Sequence, residues 1–213
     1  MVYIVPFDFC NLASVCRYFE SRAIDYQFLS NENIPTVKVD WILIPGVGTF
    51  QEGMYSLQDQ GLINIISNFV SHGGSVVGIC LGMQLMFEIS EESPGIKGLG
   101  LIKGVVKRLS SCQAKIPRVG WDAVYVKEIK QTYSLFTPIS ENIDLHPIGP
   151  DFFYVHSFYC NPNYDKDISG WLKHGDSFYC ASIESDNLYG MQFHPEKSGG
   201  TGYKALDAIF LAE

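Results

Sequence analysis

The run Val76-Val77-Gly78-Ile79-Cys80-Leu81-Gly82-Met83-Gln84-Leu85-Met86-Phe87 constrains this chain more than any other stretch. A β-branched apolar segment ends in Gly-x-Cys-x-Gly and passes directly into apolar residues at helical spacing. That layout predicts a tight strand-to-helix turn that lifts one side chain clear of a sheet. Glycines two residues before and two after the cysteine let the backbone bend. A helix opening at Cys80 also sets unpaired amides and the positive end of the helix dipole beside the sulfur, which favours negative charge there. Taken alone, the pattern equally describes a buried cysteine at an ordinary strand–loop–helix junction.

A second pattern lies near the other end, in Gln192-Phe193-His194-Pro195-Glu196. In an extended segment residues i and i+2 share a side, so His194 and Glu196 are expected to face one way. Pro195 cannot join a sheet ladder, which suits a strand end. A thiol nucleophile needs a base, and an imidazole needs a carboxylate to hold its tautomer and stabilise its charged form. Cys80, His194 and Glu196 are therefore the candidate catalytic residues. By itself His194-Pro195-Glu196 also fits a polar strand end with a solvated carboxylate. Of the other histidines, His72 and His174 stand beside glycines and read as surface residues in turns. His146 reads as a loop residue before a proline, and His156, among apolar neighbours, as a core or supporting histidine.

Strands are expected at Met1–Val5, Tyr26–Leu29, Trp41–Ile44 and Ser75–Ile79. Helical spacing follows Asn11 (Leu12, Val15, Cys16, Phe19) and recurs over Leu62–Val70, which His72-Gly73-Gly74 ends. This alternation predicts an α/β fold with a mostly parallel central sheet and helices on both faces. Further strands are read at Val105–Leu109, Ala123–Val126 and Phe152–Val155. A hairpin is read from Ser177–Glu184 and Leu188–Phe193, and a closing helix over Thr201–Leu211. The second half is expected to complete the same sheet, giving one domain over residues 1–213.

At 213 residues, 46% hydrophobic and 18% charged, the chain has the make-up of a packed globular protein. A net charge of −8 argues against nucleic acid or an anionic membrane as partner. No apolar run approaches the ~20 residues of a membrane span, and Met1–Pro6 lacks the basic head of a signal peptide. Cys10, Cys16, Cys80, Cys112, Cys160 and Cys180 form no CxxC pairs, so neither a metal site nor a disulfide framework is expected. A reducing, cytoplasmic setting follows, with no cofactor called for.

Taken together, the segments closely resemble the class I (triad) glutamine amidotransferases, in particular the glutaminase subunits of imidazole glycerol phosphate synthases. The likeness runs through Ile44-Pro45-Gly46-Val47-Gly48, Gly78 to Phe87, Ser90-Glu91-Glu92 and Gly98 to Ile102. It continues through Pro117, Gly120-Trp121, Phe153 to Phe158 and Gln192 to Ser198. The resemblance implies a three-layer fold in which Cys80 attacks the carboxamide of L-glutamine while His194 moves protons and Glu196 orients it. It implies oxyanion donors at the amides of Leu81, Val47 and Gly48. Substrate contacts would come from Gly46, Gln84, Glu92 (toward the α-ammonium), Ser157 and Phe158. It further implies a heterodimer in which ammonia is channelled to a (β/α)8-barrel synthase making imidazole glycerol phosphate for histidine synthesis. Trp121 and Lys197 match partner-facing positions.

Two segments depart from the family. Phe7-Asp8-Phe9-Cys10-Asn11-Leu12 keeps the Asn-Leu of a Tyr-Gly-x-Gly-Asn-Leu loop but neither glycine, and Arg118 replaces the histidine of Pro-His-Met-Gly-Trp-Asn. They leave open a paralogue that feeds ammonia to another synthase, such as amidino-sugar formation for surface polysaccharide. A γ-glutamyl hydrolase or cysteine peptidase would use the same three residues but require an open cleft and no synthase.

Overall fold

The computed structural model describes residues 1–37, 40–110, 114–126 and 146–211; Cys112 lies outside them. In chain order the elements are β1 (Val2–Ile4), α1 (Ala13–Ser21), β2 (Tyr26–Phe28), β3 (Trp41–Ile44), α2 (Phe50–Asp59) and α3 (Leu62–Ser71). Then come β4 (Ser75–Ile79), α4 (Leu81–Leu85), β5 (Ile89–Ser90), β6 (Gly104–Arg108), β7 (Arg118–Val126) and β8 (His146–His156). The last are β9 (Phe158–Pro162), β10 (Ile168–His174), β11 (Ser177–Ser185), β12 (Leu188–Met191) and α5 (Gly199–Phe210).

Strands β3 and β4 are apolar on both sides of the pleat, so each must be covered twice. Ile42, Ile44 and Val76 face one core, which α2 and α3 close with Phe50, Met54, Leu57, Leu62, Ile66 and Phe69. Leu43, Val77 and Ile79 face the other, closed by Val15 and Phe19 of α1 and by Ala205, Leu206 and Ile209 of α5. Each such side chain contributes about 1.5–3 kcal/mol by leaving water. The three layers expected from the sequence follow from this two-sided burial.

Among the described residues, nine strands form the main sheet in the order β2-β1-β3-β4-β12-β11-β10-β7-β8. The four ladders from β2 to β12 are parallel, and the four from β12 to β8 are antiparallel. The sheet is therefore mixed, its parallel half built by the first ninety residues plus β12. The β11–β12 hairpin turns through Asp186, at φ 53°, and returns β12 alongside β4. A separate three-stranded sheet, β5-β6-β9, stands beside it.

Several local readings change. Helix α2 is absent from the spacing argument, yet Thr49 and Glu52 cap it reciprocally: Glu52 N–H donates to Thr49 Oγ1 (3.3 Å) and Thr49 N–H to Glu52 Oε2 (3.0 Å). Strand β10 has no counterpart in the sequence pattern, and β7 starts at Arg118 rather than Ala123. His146 opens β8 opposite Val126 instead of lying in a loop. His174 ends β10 and is buried, not a surface residue. Its ring packs edge-on to Tyr179, 6.2 Å between centroids. His72 is exposed as read.

Candidate active site

Cys80 directly follows β4 and has φ 52° and ψ −106°, backbone angles that side-chain-bearing residues avoid. The turn is held by Cys80 N–H donating to Met191 O at 2.6 Å. Its flanking glycines are required by contact: a Cβ on Gly78 would lie 2.6 Å from Met83 N, and one on Gly82 would overlap the Ile44 carbonyl. The Gly-x-Cys-x-Gly spacing thus records two places where backbone meets backbone.

Past β12 the chain does not stay extended. Pro195–Lys197 is a turn of 3-10 helix, with Pro195 at its first position. His194 and Glu196 therefore meet by local coiling rather than by strand alternation. His194 Nδ1 donates to Glu196 Oε1 at 2.8 Å, the two side chains being 1% and 7% exposed. Burial disfavours a charged imidazole there, but the nearby Cys80 sulfur and the Glu196 carboxylate outweigh it and raise His194 from 6.5 to about 10. His194 Nε2 has no hydrogen-bond partner of ordinary geometry. The pull of Cys80 on the ring is therefore better described as one of charge than of an aligned hydrogen bond.

A cavity of about 260 Å³ opens over the sulfur, lined by Val47, Gly48, Cys80, Leu81, Gln84, Glu92, His156, Ser157 and Phe158 among others. Eight of these are residues the sequence analysis assigned to nucleophile, oxyanion or substrate roles; His156 is the addition. Glu92 Oε2 accepts the Phe50 N–H at the start of α2 (2.8 Å). Gln84 Nε2 donates inward to Phe158 O (3.2 Å) and to Gln192 Oε1 (3.1 Å). His156 Nδ1 must be the protonated nitrogen, because it meets the Phe158 carbonyl at 2.8 Å. Burial pushes that imidazole down to about 3 and keeps it neutral.

Gly46 lies elsewhere. With Cys10, Val47, His194, Glu196 and Lys197 it lines a smaller cavity of about 60 Å³. A Cβ on Gly46 would come within 2.8 Å of Leu81 Cβ, so this loop presses directly on the elbow. Two of the three amides expected in an oxyanion hole, those of Leu81 and Val47, are engaged here. Leu81 N–H donates to Gly46 O (3.4 Å), and Val47 N–H donates to Cys10 Sγ (3.4 Å). Burial raises the Cys10 thiol above its ordinary value, so it keeps its proton and donates it to Val47 O (3.7 Å).

Trp121 lines neither cavity and is 55% exposed, with Val119 beside it at 61%. Lys197 is exposed at the smaller cavity. Arg118 is buried, paired with Asp122, its guanidinium 4.7 Å from the Tyr154 ring centre. Gln192, quoted in the sequence motif but given no role, is fully buried, and its Nε2 donates to Cys80 Sγ at 3.6 Å. Among the described residues, no three His, Cys, Asp or Glu side chains gather to hold a metal ion.

A family model described as glutamine amidotransferase class-I matches residues 5–212. The imidazole glycerol phosphate synthase subunit HisH of Chlorobium chlorochromatii (strain CaD3) is 35% identical over 206 residues, 97% of each chain. The protein of the same name from Moorella thermoacetica is 39% identical over 205 residues, 96% of this chain and 91% of that one. Among solved structures, PurLQS from Thermotoga maritima superposes with a TM-score of 0.66 at 19% identity, covering 98% of this chain and 96% of the other. A crystal structure of a glutamine amidotransferase gives 0.69 at 14% identity, covering 97% and 98%. At those identities the superpositions speak for the fold.

Proposed function

The chain belongs to the class-I glutamine amidotransferase family, and from that premise we propose the division of labour within its site. It is the glutaminase subunit of an imidazole glycerol phosphate synthase, an enzyme of histidine biosynthesis, as its relatives over nearly the full length indicate. Acting as one domain, it hydrolyses L-glutamine to glutamate and ammonia.

Cys80, as thiolate, adds to the side-chain carbonyl carbon of glutamine. The proton held by His194 passes to the amide nitrogen as the C–N bond breaks, and ammonia leaves behind a γ-glutamyl thioester. Water then adds to the thioester, giving its proton to His194, and collapse releases glutamate and restores the thiolate. Glu196 keeps Nδ1 protonated and stabilises the imidazolium. Glu92 and the Ser157–Phe158 backbone receive the amino-acid end of the substrate. What supports these roles is a strained cysteine beneath an amino-acid-sized cavity, with a buried His–Glu pair from far along the chain close enough for the sulfur to act on the imidazole.

The negative oxygen of the tetrahedral intermediate needs donors. Leu81, Val47 and Gly48 serve once the 45–48 segment turns and frees the Leu81 and Val47 amides from Gly46 O and Cys10 Sγ, a change the (β/α)8-barrel cyclase subunit induces on docking. The exposed Trp121–Val119 surface and Lys197 receive that subunit, and ammonia passes to it inside the heterodimer. The five described cysteines are free thiols, consistent with a reducing cytoplasm as the compartment.

The test is to mix the chain with its cyclase subunit and follow both glutamate and imidazole glycerol phosphate. Turnover should be low alone and rise in the complex, and Cys80→Ala should abolish it without preventing association. Persistent glutamine hydrolysis by Cys80→Ala would remove Cys80 as nucleophile. A wild-type complex that releases glutamate but makes no imidazole glycerol phosphate would move the chain to another synthase.

A further inference from the structure

We propose that Gln192 is a positioning residue for the Cys80 sulfur and that Gln84 acts on the nucleophile through it. The inference rests on the reading of Cys80 as nucleophile and adds how that sulfur is held.

The orientation of both carboxamides follows from one fixed point. The Phe158 carbonyl can only accept, and it takes the Nδ1–H of His156 (2.8 Å) and an Nε2–H of Gln84 (3.2 Å). Gln84 must therefore present its nitrogen inward, and the same nitrogen reaches Gln192 Oε1 at 3.1 Å. That contact places the Gln192 nitrogen at the other end, 3.6 Å from Cys80 Sγ. Gln84 Nε2 thus donates both ways, back to the Phe158 carbonyl and on to Gln192, whose own Nε2 donates to the sulfur, and the choice of O and N is dictated rather than arbitrary.

Gln192 has no alternative partner in water. It is 0% exposed, and its backbone N–H is fixed on Ala181 O at 2.8 Å. A carboxamide buried this completely is costly unless both ends are bonded, and here one end is bonded by sulfur. An N–H aimed at sulfur favours the thiolate over the thiol and selects one side-chain rotamer for attack. Gln84 also lines the larger cavity, so one residue touches both the substrate's space and the support of the nucleophile. Losing it should lower kcat as well as raise KM.

The experiment uses the full chain with its cyclase subunit and, separately, iodoacetamide as a probe of Cys80, read at the Cys80 peptide by mass spectrometry from pH 5 to 10. Gln192→Met keeps the length and removes the donor. Expected are a shift of the alkylation profile to higher pH and a roughly ten- to hundredfold fall in kcat, the worth of one hydrogen bond to a charged group. KM should stay within about twofold. A space-filling role alone would lower the melting temperature and leave the alkylation profile in place. A folded Gln192→Met with wild-type profile and kcat overturns the proposal.

If that variant does not fold, Gln84→Leu decides. It leaves Gln192 in place but unpinned, and an unchanged Cys80 profile there overturns the proposal equally. In the double variant the effects on the profile should not add. Turnover by Cys80→Ala would instead defeat the underlying assignment, so the two failures are separable.

Discussion

Changing Glu196 to glutamine removes a charge from the site while keeping nearly the same shape. The carboxylate oxygen lies 2.8 Å from His194 Nδ1, and the side chains are 7% and 1% exposed. Opposite charges centred about 4 Å apart attract by about 4 kcal/mol at an effective dielectric near 20. The carboxylate's own desolvation offsets part of this, leaving on the order of 2–3 kcal/mol in favour of the protonated imidazole. Since one pH unit corresponds to about 1.4 kcal/mol, the His194 midpoint should fall by roughly two units in Glu196→Gln. A transition state that draws on the imidazolium should lose about a hundredfold in rate. The assay is glutamate release by the complex between pH 6 and 10, with urea denaturation to check folding. We expect kcat down by about that factor, the alkaline limb moved to lower pH, and KM little changed, because Glu196 borders the smaller cavity rather than the one over the sulfur. Glu196→Ala should be worse, since it leaves a buried N–H without an acceptor. A folded Glu196→Gln that matches wild type in rate and alkaline limb would show that the carboxylate neither charges nor holds His194.

Five further outcomes are expected. His194 is raised in the folded state above its unfolded value, so its contribution to stability is complete below about pH 6.5 and is lost as pH rises through about 10. The urea midpoint of wild type relative to His194→Gln should fall over that window, and Cys80→Ala should move the fall to lower pH; a flat difference would contradict it. Gly82→Ala drives a Cβ into the Ile44 carbonyl and should cost more than about 3 kcal/mol in denaturation. Gly200→Ala, which meets nothing within 4 Å at the start of α5, should be neutral or stabilising by up to about 1 kcal/mol. Cys10→Ala frees the Val47 peptide and should raise the glutaminase rate of the isolated chain several-fold; a lower rate would mean the thiol supports the productive loop. Trp121→Ala should weaken binding of the cyclase subunit by about 2 kcal/mol or more in titration calorimetry, and unchanged affinity would place the interface elsewhere.

What the sequence made legible was whatever is encoded locally. Trp41–Ile44 and Ser75–Ile79 were read to the residue because both-sided apolar runs end sharply at Pro45 and at the elbow. The β11–β12 hairpin announced itself through Ser185-Asp186-Asn187. Helix α2 escaped because Gly53 interrupts its apolar spacing, although Thr49-x-x-Glu52 marked its start; a Cβ at Gly53 would press on the tip of the Leu85 side chain. His194 and Glu196 were paired correctly for the wrong geometric reason, since a proline opens a helical turn as readily as it ends a strand. Gln192 could not be found from pattern, because its partners stand 108 and 112 residues away. The grip of Cys10 on Val47 spans 37 residues and was hidden for the same reason. Gly175, next to His174, suggested a surface turn, but β10 carries the histidine inward first.

The backbone at Cys80, turned to φ 52°, is one that glycine would tolerate far more readily. A side chain there sets the fold back by on the order of 1–3 kcal/mol. Selection for a durable protein alone would therefore erode the sulfur, and a lineage released from making ammonia should drift toward glycine at this codon and become sturdier as it fell silent.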